Sequence, residues 1–265
     1  CRTPEFKPVG RQWLARVHSP TYIDEVWAYA KSGGGDIEVD TVVSPASYDV
    51  ALMAAGSVCD AVERIMAGED NQALCLVRPP GHHALVNRAM GFCLFNNIAV
   101  AARQAIDRHG LERVAIVDFD VHHGNGTQAI FERDPRVCFA SAHQWPLYPE
   151  SGARNETGCG NIFNAPLPKG TDGAGFRAAW REELLPAVEA FRPQLVLVSA
   201  GFDGHRLDPL AGWLLEAADY AWLTGELVAL AERHADGRIV SLLGGGYDLT
   251  ALAECCVAHV DTLRL

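Results

Sequence analysis

The sequence predicts an α/β protein built on a single parallel β-sheet flanked by helices on both faces. Three observations carry this expectation. Short apolar runs (Ala73–Val77, Val114–Val117, Val137–Ala140, Leu195–Ser199 and Ile239–Leu243) alternate with longer stretches of helical periodicity. The runs are almost continuously hydrophobic, as strands buried on both faces are. Directly after most of these runs come polar segments rich in His and Asp, at the strand ends where open parallel sheets bind ligands.

Taken in order, the first firm helix start is Ser19-Pro20, a hydroxyl N-cap followed by proline at the first helical position. That helix should run to about Ser32, where Gly33-Gly34-Gly35 stops it. Ser44-Pro45 starts a second apolar-periodic stretch that reaches about Ala67. Between and after the strands lie helices expected at Asn96–His109, Gly175–Phe191, Glu216–His234 and Leu249–Leu263. Strand–helix alternation of this kind builds a parallel sheet.

The chain has 265 residues, 49% hydrophobic and 21% charged, with no internal repeat or linker, so residues 1–265 are expected to form a single domain. It begins at Cys1 rather than at methionine, which suggests a truncated or processed N-terminal region. No apolar run has the length to cross a bilayer, and no signal-peptide pattern precedes the first helix. The formal net charge of -11 argues against nonspecific binding to nucleic acid or to anionic membranes. The eight cysteines form no CxxC pair and sit mostly in apolar stretches, as reduced thiols do, so a cytoplasmic location is expected.

Four strand ends carry the chemistry. Arg78-Pro79-Pro80-Gly81-His82-His83 follows the first run, and Asp118-Phe119-Asp120-Val121-His122-His123-Gly124-Asn125-Gly126 the second. Ala200-Gly201-Phe202-Asp203 follows the fourth, and Gly244-Gly245-Gly246-Tyr247 the fifth. Alternation along an extended chain sends Asp118, Asp120 and His122 to one side. Two carboxylates and an imidazole on one face need a cation or hydrogen-bond partners. Asp120 and His122 can ligate one metal, and Asp203 can supply a third ligand. Three protein ligands with an open position is the arrangement of a catalytic zinc, whereas a structural site is closed by four. Each piece alone has an ordinary reading: a His-His pair as core or surface, the Asp/His run as a solvated loop, an aspartate after a strand as a cap. Their joint occurrence after four strands favours the functional reading.

These motifs, with Gly91-Phe92-Cys93 and Asp208-Pro209-Leu210, resemble the zinc-dependent histone deacetylase and acetylpolyamine amidohydrolase family, most closely its class II-like bacterial branch. The match in order and spacing covers about residues 15–263. The resemblance implies the arginase–deacetylase fold and a hydrolase that removes acetyl groups from acyl-lysine or from acetylated polyamines. It implies zinc on Asp120, His122 and Asp203, and His83 as the proton shuttle. His82 would assist beside it, with Asp118 bonded to His82 and Asn125 to His83. Tyr247 would donate to the oxyanion, and Gly91, Phe92, Tyr148 and Leu210 would line the substrate channel. Asp40 falls where the family often carries a rim aspartate.

The family also binds potassium. The matching side chains are Asp118 and Ser141, with main-chain oxygens of Asp120, His122 and Ala142; a second ion would sit on main-chain oxygens near Phe131, Asp134, Val137 and Asn161. Leu210 stands where one polyamine-selective branch carries glutamate, and the stretch before residue 15 is shorter than the family's first strand and loop. Homo-oligomerisation is left open. Two other readings compete: a binuclear manganese ureohydrolase, which needs further Asp and His ligands, and a catalytically silent acyl binder, which would be expected to lack Tyr247 or a shuttle histidine.

Overall fold

The computed structural model describes residues 2–264. The chain opens with a short helix Arg11–Leu14 (α1), then Pro20–Lys31 (α2), the strands Gly35–Glu38 (β1) and Thr41–Val43 (β2), and Ser47–Met66 (α3). Gln72–Cys75 (β3), Asn97–His109 (α4), Val114–Asp118 (β4), Asn125–Phe131 (α5), Val137–Gln144 (β5) and Ile162–Leu167 (β6) follow. Gly173–Ala179 (α6) passes through a π-helical turn, Trp180–Leu184, into Leu185–Phe191 (α7). Leu195–Ala200 (β7), Ala217–His234 (α8), Ile239–Leu243 (β8) and Leu249–Leu263 (α9) complete the fold.

Local chemistry accounts for most boundaries. Ser19 Oγ accepts the Tyr22 N–H at 3.2 Å, so α2 starts where Ser-Pro places it. Asn96 caps α4 through the Ala99 N–H, and Gly110 closes it in the left-handed region at φ 69°. Asp248 caps α9 the same way. At Ser44-Pro45 the expectation is off by a few residues. The Ser44 N–H bonds to Ser47 Oγ, a turn takes up the segment, and α3 begins only at Ser47.

Six strands form one sheet in the order β3-β8-β7-β4-β5-β6, every pairing parallel, while β1 and β2 make a separate antiparallel pair. Along β4, Val114 and Ile116 join a core with Ile23, Val58 and Phe95. Ala115 and Val117 join the opposite core with Phe176, Trp180 and Leu223. Both faces are therefore covered, as the unbroken apolar runs require. Three strands were not expected. The edge strand β6 reads Ile-Phe-Asn-Ala-Pro-Leu, broken by a polar residue and a proline that only an edge tolerates. The β1 and β2 runs are too short to stand out.

The sheet order has one consequence for the site. The strands β3, β8, β7 and β4 are far apart in sequence but lie side by side, so the four motif-bearing ends share one rim.

Candidate active site

The segment after β4 leaves regular strand at Asp118, yet side chains keep alternating beyond it. Phe119 and Val121 stay fully buried in the second core, while Asp120 and His122 turn toward the rim. His122 Nδ1 lies 3.2 Å from Asp120 Oδ1 and 2.9 Å from Asp203 Oδ2. One ligand atom from each of the three residues falls within 4.8 Å of the others. Backbone donors fix the carboxylates: the Val121 N–H donates to Asp203 Oδ1 at 2.9 Å, and the Gly245 N–H to Asp120 Oδ2 at 2.7 Å. A side chain at Gly245 would collide with Asp203, since an added Cβ would stand 2.0 Å from Asp203 Oδ2. The glycines of β8's terminal loop serve close packing around these carboxylates.

Burial raises Asp203, and the charge of Asp120 adds to it, giving a pKa of about 7. Burial also opposes the charge on His122, but Asp120 and Asp203 outweigh it and hold that imidazole up at about 10. Two buried carboxylates thus need a positive charge among them, which a proton on His122 or a divalent cation supplies. The donor set of two oxygens and one nitrogen, held by backbone hydrogen bonds, fits a catalytic metal.

His82 and His83 end the loop after β3, with ring centroids 4.0 Å apart. His82 Nδ1 lies 2.9 Å from Asp118 Oδ2, and His83 Nδ1 lies 2.8 Å from Asn125 Oδ1. Burial works against the charge on both, and the outcomes diverge. Asp118 and Asp120 lift His82 to about 9, whereas His83, with a neutral amide partner and a cationic neighbour, drops well below its ordinary value. Asp118 and Asp120 thus favour the charged form of His82, while burial beside His82 favours the neutral form of His83. With Nδ1–H directed at Asn125, the His83 lone pair is on Nε2.

A channel leads down to this rim, lined by Asp40, Pro80, Gly91, Phe92, Leu147, Tyr148, Leu210 and Tyr247 together with His82, His83, Asp120 and His122. The Tyr148 ring stands edge-on to His83 at 5.2 Å, and Phe92 edge-on to Tyr247 at 6.0 Å. Gly91 takes φ 57°, and an added Cβ would stand 2.2 Å from the His83 ring, so any side chain there would displace His83. Its N–H donates to Asp40 Oδ1 at 3.0 Å, which ties the rim aspartate to the channel wall. Burial, reinforced by Asp120 and Asp203, pushes the Tyr247 hydroxyl far up, so it remains a proton donor in hydrogen bonds. Pro80 and Leu147 were not anticipated. Nothing in their residue type marks them, because their role comes only from where the loops fold.

The two potassium expectations part ways. Asp118 and Ser141 are register partners on β4 and β5 and both fully buried, which places the two residues on adjacent strands beneath the rim. The second expectation does not fit. Asn161 Nδ2 donates toward the carbonyl oxygens of Phe131, Asp134 and Val137, at 2.8, 3.1 and 2.8 Å. The side-chain amide occupies the point on which these oxygens converge, and a cation cannot share it.

A model of the histone deacetylase domain matches residues 1–263 of this sequence. The chain belongs to the histone deacetylase domain family. It is 42% identical over 261 residues to a histone deacetylase-like amidohydrolase from Pseudomonas aeruginosa, spanning 97% of this chain and 69% of that protein. It is 41% identical over 240 residues to a probable deacetylase from Archaeoglobus fulgidus, covering 89% of this chain and 66% of the relative. The crystal structure of the HDA15 HD domain superposes with a TM-score of 0.94 at 36% identity, over 99% of this chain and 75% of that one. The likeness agrees with the arginase–deacetylase fold. This deacetylase domain contains no helix long and apolar enough to cross a membrane among the described residues.

Proposed function

We propose that this chain is a zinc-dependent amidohydrolase that removes acetyl groups from acylated lysine or from acetylated amines, and that residues 1–265 act as one catalytic domain. Family membership supports deacetylase activity. The observation that carries the site assignment is the adjacent histidine pair, His82 held by Asp118 and His83 by Asn125, facing the Asp120/His122/Asp203 cluster at the foot of the channel.

Asp120, His122 and Asp203 would hold zinc, which when bound supplies Lewis acidity at the acyl carbonyl and the attacking water. His83 Nε2 accepts a proton from water and returns one to the leaving amine, so that water and amide become acetate and free amine. His82, kept cationic by Asp118, stabilises negative charge developing beside it. The Tyr247 hydroxyl donates to the oxyanion. Phe92 and Tyr148 hold an aliphatic stem between them, with Gly91 leaving room for His83 and Leu210 at the mouth. Asp118 and Ser141 would hold one potassium ion, as hard oxygen ligands do. The presence of His82, His83 and Tyr247 together argues against a silent binder. Asp203-Gly204-His205 and the His82-His83 segment lack the extra ligands of a binuclear site. The three residues Asp120, His122 and Asp203 are the one such cluster of metal-ligating side chains among the described residues, which agrees with a single ion.

Acetate release from an acetyl-lysine peptide and from an acetylated polyamine, each with and without a chelator, tests the reading. Chelator-sensitive release with one zinc per chain supports it, and the faster substrate names the branch. Zinc bound without release from either would return the silent binder.

A further inference from the structure

We propose that Asp208 is a positioning residue that sets the placement of Tyr247, and with it of Leu210 at the channel mouth; this rests on the deacetylase reading above. Asp208 is buried, at 8% exposure, and no Lys, Arg or His pairs with its carboxylate among the described residues. Both oxygens are instead spent on backbone donors. Oδ2 accepts the Tyr247 N–H at 2.7 Å, and Oδ1 accepts the Leu210 N–H at 3.0 Å. Charge-assisted bonds of this kind are the strong ones, and a buried carboxylate left without them is costly.

The need for such a clamp follows from the loop it holds. Gly244, Gly245 and Gly246 carry no side chains to anchor the path from β8 to Tyr247. The Gly244 N–H is held by the Ala200 carbonyl at 2.9 Å and the Gly245 N–H by Asp120 at 2.7 Å. The Phe202 N–H returns to the Gly245 carbonyl at 2.8 Å. Beyond this, Gly246 adopts φ 139°, open only to glycine, and the next fixed point is the Tyr247 N–H on Asp208. Asp208 lies on the same loop as Asp203, and its own N–H is tied to the His205 carbonyl at 2.8 Å. One loop therefore carries a metal-ligand candidate and the clamp for the oxyanion donor, and a misplacement near 1 Å at such a donor costs about 100-fold in rate.

The test is a cycle of Asp208→Ala and Asp208→Asn, each alone and combined with Tyr247→Phe. On the acetyl-lysine peptide, Asp208→Ala is expected to lower kcat about 10- to 100-fold, with KM within about 3-fold and zinc content unchanged. Binding of an aliphatic hydroxamic acid reads the cycle without turnover. Its affinity should fall about 10-fold for Asp208→Ala when Tyr247 is present and by less than about 2-fold when residue 247 is phenylalanine. An equal loss on both backgrounds, or an unchanged kcat, overturns the proposal. Should the alanine variant fail to fold, Asp208→Asn, which keeps the shape and one acceptor oxygen, is read by the same cycle. A wild-type protein that neither releases acetate nor binds the hydroxamate overturns the deacetylase reading itself. An active wild type with additive losses overturns only the role of Asp208.

Discussion

His122 and His123 are neighbours in sequence and enter two different buried polar clusters. His122 joins Asp120 and Asp203, with His82, His83 and Asp118 beside them, at the foot of the channel. His123 turns the other way. Its Nδ1 lies 2.8 Å from Ser151 Oγ and its Nε2 lies 2.9 Å from Gln128 Oε1, and its ring stands 4.6 Å from that of His143. His143 in turn meets Ser141 Oγ at 3.0 Å and the Gly152 carbonyl at 2.9 Å. Both clusters bury imidazoles almost completely. In the first, carboxylates oppose the cost of burial and split the titration of His82 from that of His83. In the second, the hydrogen-bond partners are neutral, burial outweighs the nearby charge of Glu156, and His123 is lowered to about 3 and His143 to about 4. The partner set, and not the histidine itself, separates the two clusters. The second cluster braces residues 151 and 152, a few positions beyond the channel residue Tyr148, and uses up its hydrogen-bonding capacity in doing so.

The contrast is open to direct attack. The largest effect is expected in the first cluster: Tyr247→Phe should lower kcat by about 100- to 1,000-fold, as loss of one oxyanion donor does. Zinc content should stay as in the wild type, and a fully active variant would remove the role given to this hydroxyl. In the second cluster His143→Ala should cost about 2–3 kcal/mol of unfolding free energy in a denaturant titration, by leaving Ser141 and Gly152 unpartnered in the interior. Its kcat should fall far less than that of Tyr247→Phe; the reverse pattern would place His143 in the chemistry.

Asn161→Gly is a smaller perturbation. Removing the amide takes one donor from each of three carbonyls, of which those of Phe131 and Asp134 keep the backbone N–H groups of Asp134 and Val137. A loss of about 1–2 kcal/mol is expected, partly restored by potassium but not by lithium. An ion-independent loss would show that the freed carbonyls do not form a cation site. The smallest effect is on pH dependence. His143 is lowered in the folded protein, so the unfolded chain binds the proton first as pH falls. Its contribution to stability is full above about 6.5 and is lost as pH falls toward about 4. His143→Gln should flatten the stability profile in that window, and an unchanged slope would show that His143 is not among the groups responsible.

The sequence by itself determined the strand ends and the chemistry they carry. Continuous apolar runs mark doubly covered strands, and Asp, His and Tyr placed just after four of them together exceed what ordinary turns and caps explain. The five expected strands are all present, though β5 extends through Gln144, past its expected end at Ala140. The polar residues of that extension, Ser141, His143 and Gln144, hid it by breaking the hydrophobic pattern while being satisfied by partners from other loops. The same physics hid β6.

Only the tertiary structure decided what meets what. The order β3-β8-β7-β4 brings together segments as distant in the chain as those of His82 and Tyr247, and no local pattern encodes that adjacency. It decided that His83 receives a neutral partner while His82 receives a charged one, which is a matter of distances near 3 Å across the sheet rim. It decided too that Asn161 fills the place expected for a second cation, and that Asp208 reaches Tyr247, 39 residues on. Local sequence sets which groups a strand end can offer; the long-range packing of two cores against one sheet sets their partners, and with burial this strong, partners determine charge.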